Sequence, residues 1–201
     1  MRIGILALQG AFAEHAAMLQ RIGAECFEIR KAADLGGGEL DGLVVPGGES
    51  TVMTKLLHGL KLFEPLRREI TGGLPVLGTC AGLILLAGRV EGGRPCFACM
   101  DITAKRNAYG RQLGSFETEA PFAGLGTVPM VFIRGPYIES AGKNVRVLAR
   151  VDGHIVAARQ GNMLVTAFHP ELSRDERIHR YFLKMAEGYG REKSAVETHC
   201  G

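Results

Sequence analysis

Short apolar runs alternate with helical patterns over the first half of the chain. The runs, which we interpret as strands, lie at Ile3–Leu8, Cys26–Ile29, Leu43–Val45 and Val76–Leu77. Apolar residues at helical spacing separate them, with Phe12, Ala16, Leu19 and Ile22 on one face and Leu56, Leu57 and Leu60 on another. Strands that are separated by helices predict a parallel sheet with right-handed crossovers and helices on both faces.

The pattern changes between Asp101 and Leu164. Successive strands are predicted at Arg111–Glu119, Val128–Ile133, Val145–Val151 and His154–Arg159, with a turn at Asp152–Gly153. Strands in such close succession predict antiparallel pairing at one edge of the sheet. A last helix carries Ile178, Tyr181, Phe182 and Met185 on one stripe, which is typical of core packing. The predicted fold class is therefore α/β, an open and mostly parallel mixed sheet with antiparallel strands at one edge.

Composition indicates an ordinary globular protein. The chain has 201 residues, of which 46% are hydrophobic and 22% charged, and this length can bury one sizeable core. We expect a single domain over residues 1–189. The polar segment 190–201 is expected to be a disordered tail.

Charge and hydropathy exclude several classes of partner. The formal net charge is +3, and the basic residues are scattered without a long run, so nucleic acid is not expected as a partner. No apolar stretch approaches the roughly 20 residues of a membrane helix, and the start lacks the layout of a signal peptide. We expect a cytoplasmic protein that does not enter membranes.

The five cysteines are unevenly spaced, which fits a reducing compartment better than a disulfide framework. Cys96 and Cys99 form a lone C-x-x-C pair without a second pair or a nearby histidine, so no metal site is expected there. We expect no cofactor.

Gly78–Gly82 places a cysteine, Cys80, between the apolar run Leu74–Leu77 and a second run, Leu83–Leu86. This order predicts a strand, a sharp turn and a helix, and the small neighbours are what a nucleophile elbow requires. A thiol at the start of a helix meets its positive end, which favours the thiolate. The alternative is a buried structural cysteine in a glycine-rich turn.

His169 follows a β-prone segment, residues 162–168, and is therefore expected near a strand end, where catalytic groups of α/β sheets lie. Pro170 would end the strand and allow Glu171 to point back at the imidazole. A thiol nucleophile needs a base, and the base needs an orienting group. We predict that His169 is the base and Glu171 the orienting group. The alternative is that His169–Glu171 is only a capped turn without a catalytic role.

A third element follows the strand Leu43–Val45. Gly47 and Gly48 allow backbone N–H groups to approach a ligand oxygen, which suits an oxyanion hole. Ser50 or Thr51 is expected to mark the start of the next helix. By itself, the glycine pair is only a loop signal.

Together, Pro46–Ser50, Gly78–Gly82 and His169–Glu171 resemble the motifs of triad-type class I glutamine amidotransferases, which have a flavodoxin-like fold. More narrowly, the chain resembles the glutaminase subunits of pyridoxal 5′-phosphate synthases over residues 1–189. The stretches that carry this second resemblance are Leu8–Ala11, Gly47–Thr51, Arg106 with Asn107, Gly110–Gln112 and Phe132–Arg134.

The resemblance implies hydrolysis of L-glutamine to L-glutamate and ammonia through a thioester on Cys80. His169 would transfer the proton and Glu171 would orient His169. The backbone N–H groups of Gly48 and Ala81 would form the oxyanion hole. Residues that would bind glutamine are Gly47, Gly48, Glu49, Arg106, Ile133 and Arg134. An arginine fork suits the α-carboxylate of the substrate, although an arginine is more often a solvated surface residue.

The resemblance also implies a partner, because ammonia released to water protonates and loses its nucleophilicity. The partner would be the synthase subunit, a (β/α)8 barrel that uses ammonia to build pyridoxal 5′-phosphate in vitamin B6 biosynthesis. We expect Gln9 and Gly10 at this interface. Two other classes stay open: a cysteine peptidase or hydrolase with the same elbow, and a binding module on this fold that needs no thiolate.

Overall fold

The computed structural model describes residues 1–106 and 115–199, and for residues 190–199 it describes the backbone alone. Its helices are α1 (Phe12–Arg21), α2 (Ser50–Gly59), α3 (Phe63–Thr71), α4 (Ala81–Leu86) and α5 (Arg177–His199). The strands of the first half are β1 (Arg2–Leu6), β2 (Glu25–Ile29), β3 (Gly42–Val45), β4 (Val76–Thr79) and β5 (Ala87–Glu91). Those of the second half are β6 (Met100–Lys105), β7 (Ser115–Phe122), β8 (Gly126–Ile133), β9 (Tyr137–Ala141), β10 (Arg146–Val151), β11 (His154–Gln160) and β12 (Met163–Thr166).

The centre of the sheet is parallel, in the order β2-β1-β3-β4-β12. Its inner strands are buried on both faces, as the continuous apolar runs predict. β12 pairs with β4 although it comes from near the end of the chain, so the last strand is inserted beside the first four. In register, Val45 lies opposite Gly78, and Thr166 lies opposite Thr79. The carboxyl ends of β3, β4 and β12 are therefore adjacent.

Helices cover both faces of this sheet. A Cβ at Gly42 of β3 would lie 2.9 Å from Phe182 of α5, so this position faces α5. Val45 is three residues further along β3 and therefore faces the opposite side, where it packs against Gly82 of α4. The α/β class with helices on both faces is confirmed.

Antiparallel strands extend the sheet beyond β12, in the order β11-β10-β7-β8. This confirms the predicted antiparallel edge, including the turn at Asp152 and Gly153, whose positive φ values of 49° and 80° suit a tight hairpin. The predicted strand at 111–119 lies partly outside the described residues, and β7 is its described part. β9 pairs with β11 and β6, and β6 pairs with β5. The segments that form β5, β6 and β9 were not predicted as strands.

The last helix, α5, continues to His199. Residues 190–199 were expected to form a disordered tail, whereas their backbone is helical here. Half of this segment consists of residues that favour helix, namely Arg191, Glu192, Lys193, Ala195 and Glu197. Within residues 1–106 and 115–199, no helix is both long and apolar enough to cross a membrane.

Candidate active site

Cys80 occupies a sharp turn between β4 and α4. Its backbone has φ 50° and ψ −102°, a conformation that L-residues rarely adopt and that is typical of a nucleophile elbow. The amide N–H of Cys80 donates to the carbonyl of Thr166 at 2.8 Å, which joins the turn to β12. The side chain is 7% exposed. The turn therefore holds the thiol at the adjacent ends of β4 and β12.

The glycines around Cys80 are required by close packing. A Cβ at Gly82 would lie 2.0 Å from the carbonyl oxygen of Val45, and a Cβ at Gly78 would lie 2.7 Å from Leu86. The contact with the Val45 backbone excludes a side chain at Gly82, and a side chain at Gly78 would require Leu86 to move. The small neighbours predicted for the elbow are therefore a packing requirement of the turn between β3, β4 and α4.

His169 and Glu171 lie together just beyond β12. The amide N–H of His169 donates to the carbonyl of Val131 at 2.8 Å, which fixes the segment against β8. Pro170 begins a short 3-10 helix, Pro170–Leu172, and this turn brings Glu171 back to the imidazole. Nδ1 of His169 donates to Oε1 of Glu171 at 2.7 Å. The predicted pairing of these two side chains is present in the structure.

Cys80, His169 and Glu171 lie together at one site, since Cys80 and His169 line the same cavity and His169 is hydrogen-bonded to Glu171. Burial lowers the pKa of His169, but the hydrogen bonds and charges of Cys80 and Glu171 outweigh burial and raise it to about 10. Burial raises the pKa of Glu171, but nearby His15 and the hydrogen bond from His169 bring it below its usual value. An imidazolium next to a carboxylate is the resulting charge state.

A cavity of about 500 Å³ opens onto Cys80 and His169, a size suited to a small ligand. Its described lining is made of Gln9, Gly48, Glu49, Ser50, Cys80, Ala81, Ile84, Arg106, Ile133, Arg134, Pro136 and His169. Most of the predicted site residues are therefore brought together around one cavity. Glu171 lies behind His169. Gly47 is buried beneath the imidazole, where a Cβ would lie 2.5 Å from Cε1 of His169.

Glu49 and Arg106 form a charged pair at the cavity. Nη2 of Arg106 lies 3.3 Å from Oε1 of Glu49 and 3.3 Å from Oγ1 of Thr51. The Glu49 carboxylate also accepts the backbone N–H groups of Thr51 at 3.0 Å and Val52 at 2.7 Å. The hydrogen bond from Thr51, with other contacts, holds its pKa below the usual range. Helix α2 begins at Ser50, but its side-chain cap is Glu49 and not Ser50 or Thr51.

Arg134 adds a second guanidinium to the cavity. It follows β8 and has a positive φ of 43°, which costs free energy for a residue with a Cβ. Its neighbour Ile133 is 40% exposed and also lines the cavity. The turn thus presents one apolar and one cationic side chain to the same space.

Gln9 and Gly10 contact the glycine loop after β3. Oε1 of Gln9 accepts the backbone N–H of Glu49 at 2.7 Å. A Cβ at Gly10 would lie 1.7 Å from the carbonyl oxygen of Gly47, so only glycine fits there. Any movement of Gln9 or Gly10 would therefore reach the loop that carries Gly47 and Gly48.

The family model of the SNO glutamine amidotransferases matches residues 5–188. The chain belongs to this family. A curated relative, the pyridoxal 5′-phosphate synthase subunit PdxT of Methanocorpusculum labreanum, is 64% identical over 189 residues, which cover 94% of this chain and 99% of the relative. A protein of the same name from Desulfitobacterium hafniense is 54% identical and covers 94% of each chain.

Solved structures agree with this membership of the SNO glutamine amidotransferase family. A crystal structure of a glutamine amidotransferase superposes with a TM-score of 0.86 at 44% identity, and it covers 92% of this chain and 98% of its own. The structure of PurLQS from Thermotoga maritima has a TM-score of 0.63 at 14% identity, over 94% of this chain and 98% of its own. The second likeness concerns the fold alone.

Sequence reasoning missed several polar residues at this SNO glutamine amidotransferase site. Ser50 lines the cavity, and two buried histidines, His15 and His179, lie behind Glu171. A signal was present in the helical spacing, because His15 shares the apolar stripe of α1 with Phe12 and Leu19. A histidine on such a stripe predicts a buried polar contact.

The C-x-x-C pair of this family member lies apart from the described cavity lining. Cys96 and Cys99 are free and half-buried. Burial raises the pKa of both thiols, and Sγ of Cys99 donates to the carbonyl of Phe97 at 3.3 Å. Such thiols are poor nucleophiles.

Proposed function

We propose that this chain is the glutaminase subunit of a pyridoxal 5′-phosphate synthase, which hydrolyses L-glutamine to L-glutamate and ammonia. The observation that carries the proposal is that Cys80 lies beside the hydrogen-bonded pair of His169 and Glu171, at the wall of a cavity that also holds Arg106 and Arg134. Membership of the SNO glutamine amidotransferase family and the names of its relatives support the same reaction.

Cys80 is the nucleophile in this proposal. Its thiol proton passes to His169, the sulfur attacks the side-chain carbonyl carbon of glutamine, and a tetrahedral oxyanion forms. The carbon–nitrogen bond then breaks, and the amide nitrogen leaves as ammonia with the proton that the raised pKa holds on His169. A water, deprotonated by His169, attacks the thioester and releases glutamate. Glu171 keeps the imidazole oriented throughout.

Oxyanion stabilisation is assigned to the backbone N–H groups of Gly48 and Ala81, which both belong to residues of the cavity lining. Ala81 directly follows the nucleophile, the usual donor position in an elbow. Gly48 has a φ of 152°, and a Cβ there would lie 3.0 Å from the sulfur of Met53. Glycine at this position therefore suits both the backbone conformation of the loop and its close packing against Met53.

Glutamine binding is assigned to Gly47, Gly48, Glu49, Arg106, Ile133 and Arg134. The two guanidinium groups suit the α-carboxylate of the substrate. The Glu49 carboxylate, which stays ionised, suits the α-ammonium. Ile133 contacts the aliphatic part of the substrate. Gly47 contributes by leaving room for the imidazole of His169.

The partner in this proposal is the (β/α)8-barrel synthase subunit, which consumes the ammonia. We assign Gln9 and Gly10 to the interface, because both touch the loop that carries Gly47 and Gly48. Docking at these residues would adjust the oxyanion hole and so raise glutaminase activity. The complex would lie in the cytoplasm.

Ammonia release from glutamine tests the proposal, with and without the synthase subunit, for the native chain and for Cys80→Ala. The proposal expects release by the native chain that rises as synthase is titrated in. It expects loss of release in Cys80→Ala. A lone chain already at its full rate would contradict the docking step, and turnover retained in Cys80→Ala would contradict the assignment of the nucleophile.

A further inference from the structure

A line of buried polar side chains continues behind Glu171. His15 of α1 and His179 of α5 are both fully buried, at 0% exposure. Nε2 of His15 lies 3.3 Å from Oε2 of Glu171 and 3.1 Å from Oγ1 of Thr79. Nδ1 of His15 lies 2.9 Å from Nε2 of His179. The mechanism above uses neither histidine.

Both histidines are neutral at ordinary pH. Burial lowers the pKa of His15 and outweighs the opposing charge of Glu171. Burial, together with the neighbouring His15, lowers the pKa of His179 to about 3. The other groups that act on His15 electrostatically are His169 and Glu14. Each neutral ring has one N–H group and one bare nitrogen.

Only one arrangement of these two protons gives every N–H group a partner. If His15 carried its proton on Nδ1, it would donate to His179, and His179 would then carry its own proton on Nδ1. That atom is buried without a hydrogen-bond partner, so an N–H group would be stranded there. The bare Nε2 of His15 would also face the carboxylate oxygen of Glu171. Both features cost free energy.

In the opposite arrangement, His179 donates from Nε2 to Nδ1 of His15. His15 then donates from Nε2 to Oγ1 of Thr79, and the same Nε2 lies 3.3 Å from the second oxygen of Glu171. The buried atoms left without a hydrogen bond are the bare Nδ1 of His179 and Oε2 of Glu171, both acceptors, which are less costly to bury unpaired than an N–H group.

We infer that His15 is a positioning residue of the glutaminase site, whose Nε2–H group, fixed by His179 and Thr79, lies 3.3 Å from the second oxygen of Glu171 and stabilises its charge while the first oxygen orients His169. This inference rests on the proposed function. Oε2 of Glu171 accepts no hydrogen bond from the described residues, so without His15 its charge would also lose the nearby N–H group in a buried environment. The carboxylate would then turn away from His169 or take up a proton, and either change would leave the imidazole poorly oriented.

The cluster has no metal-binding arrangement. In the part of the chain that the structure describes, no group of three or more His, Cys, Asp or Glu side chains is placed to hold a metal ion. The facing nitrogens of His15 and His179 are engaged with one another. A hydrogen-bonded relay is therefore the arrangement that these side chains support.

Two variants of His15 separate positioning from structure. His15→Leu keeps the volume of the side chain but has no donor. His15→Gln can place an amide N–H group near the position of Nε2. The native chain and both variants are assayed for ammonia release in complex with the synthase subunit over a range of pH. Thermal unfolding of each variant is recorded alongside.

We expect kcat of His15→Leu to fall roughly 10- to 100-fold, the loss that follows removal of an orienting hydrogen bond behind a metal-bound histidine. KM should change less than twofold, because His15 does not line the cavity. The acid limb of the kcat profile should move to higher pH, since Glu171 would be more easily protonated. His15→Gln should recover most of kcat and the native acid limb.

A third variant, His179→Phe, tests the same relay without changing a neighbour of Glu171, and it covers the case in which His15→Leu fails to fold. It should lower kcat less than His15→Leu, again with KM unchanged. The inference is overturned if His15→Leu folds with native kcat and acid limb, or if His15→Gln loses as much kcat as His15→Leu. If His15→Leu does not fold, native kcat in His179→Phe also overturns it.

Alkylation of Cys80 by iodoacetamide, followed by mass spectrometry of the Cys80 peptide, gives a readout that needs no glutamine. The inference expects His15→Leu to change the pH dependence of alkylation and His15→Gln to restore it. If the native chain releases no ammonia while this pattern holds, the proposed function fails and the relay stands. If ammonia is released and alkylation is the same in all three chains, the relay fails alone.

Discussion

Gly47 lies directly beneath the ring of His169, in a space that a hydrogen fills and a methyl group cannot. A Cβ at Gly47 would lie 2.5 Å from Cε1 and 3.2 Å from Nδ1 of His169, and 3.4 Å from Cβ of Cys80. The glycine after β3 therefore sets the position of the imidazole as directly as the hydrogen bond that the imidazole donates to Glu171.

Gly47→Ala should displace the imidazole and lower kcat roughly 100-fold, the loss that a shift of about 1 Å can cause in a catalytic group. Gly59→Ala is the matched control, because a Cβ at Gly59, the last residue of α2, would meet nothing within 4 Å. Ammonia release and thermal unfolding are measured for both variants. Native kcat in Gly47→Ala would show that the ring accommodates the methyl group.

Cys80→Ala should lose at least several hundredfold in kcat, because no other group at the site can form the thioester. Cys26→Ala provides the comparison, since Cys26 lies on β2 and its thiol is half-buried away from the cavity. The control should keep native ammonia release. Equal losses in the two variants would point to a general effect on folding, which unfolding curves would reveal.

Glu171→Gln should lower kcat roughly 10²- to 10⁴-fold, because the amide cannot hold the imidazole in its orientation or stabilise its charge. The double variant Cys80→Ala/Glu171→Gln should be no slower than Cys80→Ala alone. When residues act as a unit, removal of one already abolishes the contribution of the others to kcat. Additive losses, measured as ammonia release from each chain, would argue against a shared catalytic group.

Glu49 caps helix α2 and is assigned to glutamine binding, and substitutions can separate these two roles. Glu49→Ala removes the cap of α2 and should lower the free energy of unfolding by about 1 kcal/mol, and KM for glutamine should rise several-fold. Glu49→Gln keeps an acceptor for the cap but loses the charge, so KM should rise with a smaller loss of stability. Urea unfolding and initial rates test both. An unchanged KM in both variants would remove Glu49 from glutamine binding.

Stability of the isolated chain should pass through a maximum near neutral pH. His179 and His15 have lowered pKa values in the folded protein, about 3 for His179, against 6.5 when unfolded. Below pH 6.5 the unfolded chain therefore binds more protons, and stability rises as pH increases from about 3 to 6.5. The pKa of His169 is instead raised to about 10, so its contribution is lost between pH 6.5 and 10.

Urea unfolding over a pH series measures this profile. His179→Phe is the control for the acid side, because it removes one of the protons taken up on unfolding and should flatten the rise below pH 6.5. The fall above pH 6.5 should persist in this variant. Stability that keeps rising from pH 6.5 to 10 in the native chain would contradict the raised pKa of His169.

The elbow and the His169–Glu171 pair could be predicted because their chemistry constrains the local sequence. The glycines around Cys80 are needed by atoms within one turn, and Pro170 directs Glu171 back over only two residues. Geometric constraints between residues that are close in sequence produce a motif that can be recognised in the sequence. Parallel strands that alternate with helices are predictable for the same reason, since each buried run is local.

Other features depend on contacts between distant segments. β5 was missed because α4 has only six residues, so the apolar run Leu83–Leu86 leads directly into Ala87 of the next strand. His15 and His179 meet only when α1 and α5 pack on the same side of the sheet. The cap at Glu49 was missed since glutamate is an uncommon cap, and its role here depends on the turn after Gly48.

The insertion of β12 beside β4 determines when this protein can become reactive. The thiol belongs to an early strand, whereas the imidazole and carboxylate follow the last one. During synthesis and folding, the cysteine therefore exists for some time without the groups that activate it. A chain that has not completed the sheet therefore lacks the base beside its thiol, and we expect it to hydrolyse no glutamine.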